Sequence, residues 1–319
     1  MKRKAFLFAL CMVLAFSVSD SWAKELDWPK RAIQVIVPFG AGGDTDMNAR
    51  IFSKYLEPVL GKSLAVVNVS GGGGSIGARR VKDARPDGHT VLFYQDAIMV
   101  NSASGVSDFT WKDFEFGCIG GLETGTFIAV KTDSKWKTMK ELVDDSAANS
   151  GKISIAGNIG ATTYLTAMLL NKAGGAFNIV NHGGSSQRIT ALLGGHVDVI
   201  QNPLVTIKSY VENKEVRILA NQAHPRPPLA QDIPSLKDSG YDVSFQYRYF
   251  FLFPKGTPKE IVEKFVDAVE KVVTTNTEYA EDINKTLVQS PFFARGEEGI
   301  KLMSEQENIV NSVDLKAAQ

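Results

Sequence analysis

Cysteine is almost missing from this 319-residue chain, which has only Cys11 and Cys118. Cys11 lies inside an apolar N-terminal run that is expected to be removed, so no intrachain disulfide can form and stability must come from the core. The four histidines, His89, His182, His196 and His224, lack metal-ligand spacing such as His-Glu-x-x-His, and Cys118 has no zinc-partner motif. No metal site is therefore expected. A Walker lysine is absent as well, and a catalytic constellation is hard to assemble from the residues present. Charge is balanced, with 35 Lys plus Arg against 35 Asp plus Glu and no basic cluster. That excludes the concentrated cationic footprint a nucleic acid demands, and the polybasic patch of an electrostatic membrane anchor. Helical repeats, charge blocks and long low-complexity segments are also lacking.

The N-terminus carries the first positive signal. Lys2, Arg3 and Lys4 precede an apolar run from Ala5 to Val18, too short for a spanning helix of about 20 residues. Ser21, Trp22 and Ala23 place small residues where a signal peptidase reads, so residues 1–23 are expected to be a signal peptide cleaved after Ala23, with export to the periplasm. A lipoprotein is the competing reading because Cys11 lies in the run, although Leu10 stands where a small residue should precede a lipidated cysteine. Cleavage removes three bases and one acid and leaves a formal charge of −2. The remaining length fits about two domains.

Hydrophobic patterning alternates between strand and helix. Ala32–Phe39 reads as a buried strand and Asp46–Leu60 as a helix, followed by a strand at Leu64–Val69, a short helix from Ser75 to Val81 and a strand at His89–Tyr94. A second α/β unit follows: strand Phe127–Lys131, helix Thr138–Ala148, strand Lys152–Ala156, helix Thr162–Lys172, then shorter segments to Val216–Asn221. From Val243 to Phe253 the chain is aromatic and extended. After Pro254-Lys255-Gly256 it turns helical, with Thr257 as a candidate cap, Pro258 at the first helical position and Glu260 three residues after the cap. Helices near Glu278–Leu287 and Glu297–Val313 complete a tail with little strand of its own, expected to pack on the first sheet. The predicted organisation is an α/β chain of two domains: a discontinuous first domain of residues 24–125 and 249–319, and a second of 126–248. The two crossings between them, near Glu123–Phe127 and Phe245–Phe250, form a hinge.

Two strand-to-helix junctions bear chemistry. Val37-Pro38-Phe39-Gly40-Ala41-Gly42-Gly43-Asp44-Thr45-Asp46 can expose backbone amides at a helix N-terminus and so receive an anion without a cationic side chain. It can equally be a tight turn capped by Asp46 or Thr45. Ile155-Ala156-Gly157-Asn158-Ile159-Gly160-Ala161-Thr162-Thr163-Tyr164 repeats the pattern in the second unit, with two added hydroxyls. The glycine run Gly71–Gly74, which includes Gly72, is either a flexible turn or a ligand-facing wall. His182-Gly183-Gly184-Ser185 follows a strand and could present an imidazole, though a lone histidine is more often structural.

An ordered series of motifs resembles the tripartite tricarboxylate transporter receptors, the Bug family of periplasmic binding proteins. It comprises Trp28-Pro29-Lys30-Arg31-Ala32-Ile33, Val37-Pro38-Phe39 with Gly42-Gly43 and Asp46, Gly72-Gly73-Gly74 with Ile76-Gly77-Ala78, and Pro86-Asp87-Gly88-His89-Thr90. Leu192-Leu193-Gly194-Gly195, Val197-Asp198, Asp232-Ile233-Pro234-Ser235-Leu236 and Pro254-Lys255-Gly256-Thr257-Pro258 continue it across nearly the whole chain. The resemblance implies a two-domain periplasmic-binding-protein, or flytrap, architecture. It further implies a small carboxylate held in the interdomain cleft (a di- or tricarboxylate, amino acid or aromatic acid) and delivery to membrane subunits of the transporter. The ligand residues it implies are Phe39, Ala41, Gly43, Thr45 and Asp46 from the first domain, and Asn158, Gly160, Ala161, Thr162, Thr163, His182 and Gly184 from the second. Arg248 is a further expectation, as a guanidinium facing the cleft toward a second acidic group. The chain is read as a monomer and a non-enzyme. A receptor signalling to a membrane kinase and an exported enzyme acting on a carboxylate are the alternatives.

Overall fold

The structure, a computed structural model, describes residues 26–123, 125–227 and 230–316. The expected signal peptide at 1–23, with Cys11, lies outside these. Two sheets organise the chain. The first contains β1 (Ile33–Val37), β2 (Leu64–Asn68), β3 (Thr90–Gln95), β4 (Phe114–Leu122), β10 (Arg248–Pro254) and β11 (Ala294–Arg295), in the order β11-β4-β10-β3-β1-β2. The second contains β5 (Thr126–Lys131), β6 (Ser154–Gly157), β7 (Asn178–Asn181), β8 (Val199–Pro203) and β9 (Val216–Asn221), in the order β7-β6-β8-β5-β9. Both are mixed: β1 runs parallel to β2 and β3, β6 parallel to β7 and β8, while β10 and β5 are antiparallel to their neighbours. The chain passes between the sheets twice, around Glu123 and again between β9 and β10.

Local sequence explains the elements. Ile33, Val35, Ile36 and Val37 are all buried, as expected for a strand covered on both faces. Helix α1 (Asp44–Leu60) buries Ala49, Phe52, Tyr55 and Leu56 on one face and turns Arg50 and Lys54 outward. Gly61 stops it at φ 70°, its amide donating to Glu57 O, a left-handed cap that a Cβ would disfavour. Helices α2 (Ser75–Lys82) and α3 (Ala97–Ala103) complete the first half. The second sheet carries α4 (Met139–Ala148), α5 (Thr162–Lys172), α6 (Ser185–Leu193) and α7 (Leu204–Glu212). The tail, α8 (Lys259–Thr275), α9 (Thr277–Leu287) and α10 (Gly296–Asn311), returns to the first sheet, where α8 lies on α1 and β4.

Besides the two-residue β11, the patterning misses two elements, α3 and β4. The first is short and buried nearly all round; the second, Phe-Glu-Phe-Gly-Cys-Ile-Gly-Gly-Leu, carries three glycines that dilute a strand signal. One cap differs as well. Thr257 donates its hydroxyl to Pro254 O at 2.7 Å instead of capping α8, which begins after Pro258 without a side-chain cap. The turn closing β10 claims that hydroxyl first.

Strand β10 arrives late in sequence yet sits mid-sheet between β3 and β4, with Tyr249 to Phe253 at zero exposure. Phe251 meets Phe93, Phe265 and Phe52 at centroid distances of 4.8, 5.0 and 5.4 Å, so one ring ties the returning strand to α1, β3 and α8. Among the described residues no helix is long and apolar enough to cross a membrane. Phe251→Ala is expected to lower unfolding free energy by about 3–5 kcal/mol, read by chemical denaturation.

Candidate functional site

Three helices begin at one place between the sheets. Helix α1 follows β1, α5 follows β6 and α6 follows β7, and their N-cap residues are Gly43, Ala161 and Gly184. Among the described residues no side chain caps the free first-turn amides of any of them, and each start adds the partial positive charge of its helix dipole. The starts surround an inner hollow of about 480 Å³ lined by Phe39, Gly43, Asp44, Thr45, Asn158, Ala161, Thr162, Thr163, Gly184, Ser185 and Arg188, among others. A wider outer hollow of about 840 Å³ shares Phe39, Gly43, Asn158, Gly184 and Ser185 and adds Ala41, Gly71 to Gly74 and Asn181. Both volumes include the open mouth.

Two charged side chains face the inner hollow. Arg188 is buried; its Nε donates to Gln201 O and Asn202 Oδ1, its Nη1 to Gly183 O and its Nη2 to Ser185 Oγ. Burial pulls this guanidinium below its ordinary value, and the nearby Asp44 charge opposes that. Asp44, the first residue of α1, accepts from Ser185 Oγ at 2.9 Å on Oδ1, and from Tyr247 at 3.1 Å and Tyr249 at 2.9 Å on Oδ2. The Tyr249 hydroxyl also lies 3.0 Å from Oε2 of Glu123, a buried residue at the first crossing. One hydroxyl has one proton, so it can donate to only one of two carboxylates. A proton on Glu123 resolves the conflict: Glu123 donates to Tyr249, and Tyr249 to Asp44. Burial, reinforced by the Asp44 charge, pushes Glu123 up to about 8, which keeps that proton in place at neutral pH.

The predicted residues fall into groups. Phe39, Gly43, Thr45, Asn158, Ala161, Thr162, Thr163 and Gly184 line the inner hollow, and Ala41 and Gly72 the outer one. Five expectations need correction. Asp46 lies beneath the loop, where it accepts from Gly42 N, Arg50 Nε and Asn68 Nδ2; it holds the junction in shape and lines neither hollow. Nor does Asp46 or Thr45 cap α1, whose N-cap is Gly43. Gly160 turns its carbonyl to Asn101 Nδ2 at 2.9 Å and packs against the glycine run. His182 lines neither hollow; its amide donates to Gly157 O. Arg248 does not face the cleft: its Nη1 donates to Gln306 Oε1 at 2.6 Å and lies 3.9 Å from buried Asp96, so the tail helix and β3 end claim it.

Sequence reasoning missed Asp44, Ser185, Arg188, Gln201 and Tyr247 as lining residues. Asp44 carried a readable signal, an acid at the first position of a glycine-led helix. Arg188 carried none, since an arginine within a helix is ordinarily read as solvated.

The two lobes touch across the cleft. Besides Ser185 on Asp44, Ser186 Oγ donates to Gly42 O at 3.4 Å and Tyr164 OH to Leu315 O at 3.3 Å. Gly73, at φ 60°, lies so close to the second lobe that a Cβ there would stand 2.6 Å from Ile159 O and 2.8 Å from Gly160 C. These contacts describe closed lobes.

Two α/β lobes joined by paired crossings and closed over a cleft of helix N-termini define the class of periplasmic binding proteins. The chain is similar to the periplasmic binding protein BugD, with a TM-score of 0.79 and 26% identity over 89% of this chain and 96% of that one. Residues 48–313 match the sequence profile described as "Tripartite tricarboxylate transporter family receptor", and the chain belongs to that family. A UPF0065 protein in the gbd 5′ region of Cupriavidus necator is 28% identical, covering 99% of this chain and 98% of the relative. MatC from Rhodopseudomonas palustris, solved with bound malate, shares the fold at a TM-score of 0.80 and 23% identity, over 90% of this chain and all of that one, 100%. The chain is a solute receptor of this family, and the proteins it resembles are binding proteins.

Two predictions follow from the geometry. Glu123 has a folded pKa of about 8 against an ordinary 4.5, so the native chain holds more protons than the unfolded chain between those values. Stability should therefore fall as pH rises across that window, by on the order of a few kcal/mol. Asp96, pushed up to about 7 by burial, acts with the same sign, so Glu123→Gln should reduce the slope of urea-derived stability against pH, and the double variant with Asp96→Asn should flatten it. Gly73→Ala should cost the first lobe only about 1 kcal/mol for its left-handed backbone, yet hold the lobes apart. Small-angle scattering would report a larger radius of gyration than that of the parent protein under ligand-saturated conditions.

Proposed function

We propose that this chain is an extracytoplasmic receptor that closes its two domains, residues 24–125 with 249–319 and residues 126–248, on a small carboxylate-bearing solute. It delivers that solute to the membrane subunits of a tripartite tricarboxylate-type transporter, and residues 1–23 direct its export. The observation that carries this reading is the convergence of three helix N-termini without side-chain caps, together with buried Arg188, on one hollow between the lobes. Amides and a guanidinium are donors only, so the hollow needs an acceptor, and a carboxylate supplies up to four lone-pair sites in a planar fork. Desolvating an anion there is offset by fixed dipoles that need no reorganisation. The residues assigned to the ligand are Phe39, Ala41, Gly43, Thr45, Gly72, Asn158, Ala161, Thr162, Thr163 and Gly184, with Arg188 added. The malate-bound and adipate-bound relatives support an acid as the ligand class.

Mass spectrometry of small molecules released from the purified protein, followed by titration calorimetry with a panel of carboxylates, tests the reading. At least one acid should bind, and Arg188→Met should weaken it roughly tenfold to a hundredfold, the value of charge-assisted hydrogen bonds at 1.5–3 kcal/mol. A panel of di- and tricarboxylates, amino acids and aromatic acids that all fail to bind would overturn it.

A further inference from the structure

Asp44 and Arg188 are the only charged side chains among the described residues lining either hollow. They stand on opposite lobes with one hydroxyl between them: Ser185 Oγ is 2.9 Å from Asp44 Oδ1 and 3.2 Å from Arg188 Nη2. Resting on the receptor reading above, we infer that this pair makes the cleft selective for a zwitterion, an α-amino acid with an uncharged side chain, over a dicarboxylate.

Charge and donor count distinguish the two walls of the cleft. The second lobe contributes two uncapped helix starts and Arg188, whose Nη1 and Nη2 each keep one N–H beyond those already donated, so its wall is positive. Among the described residues no carboxylate lies within the 4.0 Å of an ion pair with Arg188. The first lobe contributes one helix start, but Asp44 sits on its first residue and offsets that dipole, so its wall is negative. A ligand carboxylate therefore belongs against α5, α6 and Arg188, and a ligand cation against Asp44.

A second observation points the same way. Gln201, which lines the inner hollow, donates through Nε2 to Thr163 O, while its Oε1 is buried and has no partner among the described residues. A buried acceptor left unpaired costs about 1–3 kcal/mol, and an ammonium supplies the donor that a fully ionised dicarboxylate lacks. The outer hollow, where the rest of the ligand would extend, is lined mainly by glycines and neutral polar residues with Phe39, and among the described residues its lining carries no charge. A zwitterion with a neutral side chain leaves the closed cleft neutral. A dicarboxylate would leave its second carboxylate uncompensated beside Asp44, a burial that low dielectric penalises.

Titration calorimetry on the wild-type chain would compare neutral α-amino acids with their N-acetyl derivatives and with succinate, malate and adipate. The expected result is a free amino acid that binds more tightly than any of the three dicarboxylates and loses about tenfold or more in affinity on N-acetylation, 1.4 kcal/mol. Asp44→Asn should weaken the amino acid and strengthen the dicarboxylates. If that variant does not fold, the wild-type comparison decides alone. A dicarboxylate that binds as tightly as the best amino acid, or N-acetylation without loss, overturns the zwitterion assignment and leaves the receptor reading standing; failure of every acid to bind removes both.

Discussion

One carboxylate connects the parts of this protein that must move relative to each other. Asp44 belongs to the first lobe, takes a hydrogen bond from Ser185 of the second, and takes two more from Tyr247 and Tyr249 on the returning crossing. Lobe, opposite lobe and hinge thus share one anion, half-buried at the mouth of its own helix. Because Ser185 also receives from Arg188, the chain of contacts extends to the guanidinium on the far wall. The Ser185 link crosses between the lobes and the tyrosine links do not, so an opening of the cleft would break the first and spare the other two.

The hinge pays for this arrangement in buried carboxyls. Glu123 and Asp96 sit at the inner ends of the two crossings, both at or near zero exposure, and burial raises the pKa of each. Glu123 is held by the Gly125 amide, Gln289 and Tyr249, and Asp96 by the Arg248 amide, so neither rests on a close ion pair. Neutralisation by a proton is the cheaper solution in such surroundings. The crossings are consequently tied by hydrogen bonds between neutral or singly charged groups, which reorient at less cost than a desolvated ion pair.

Much of the fold was legible because hydrophobic periodicity is a local property. β1, α1, α5 and the helical tail bury the faces their spacing announced, and the two glycine-led junctions were visible as strand-to-helix turns able to expose amides. Residues whose role comes from the partner they meet were not legible. Asp46, in the middle of the first junction, turned out to brace the loop through Gly42, Arg50 and Asn68. Arg248 was drawn to Gln306, a residue 58 positions later in the chain, and so away from the cleft. Arg188 entered the cleft because α6 starts there and its one buried face points inward, which no local pattern distinguishes from a solvated face.

The sequence by itself determined the two α/β units, the double crossing and the amide-bearing junctions, since each depends on residues within a few positions of one another. Only the tertiary structure decided which charges face the cleft. Asp44 and Arg188 lie far apart in the chain, and their opposition across one serine hydroxyl exists only when the lobes close. Electrostatics acts through space, and through-space neighbours are what folding, not sequence order, assigns.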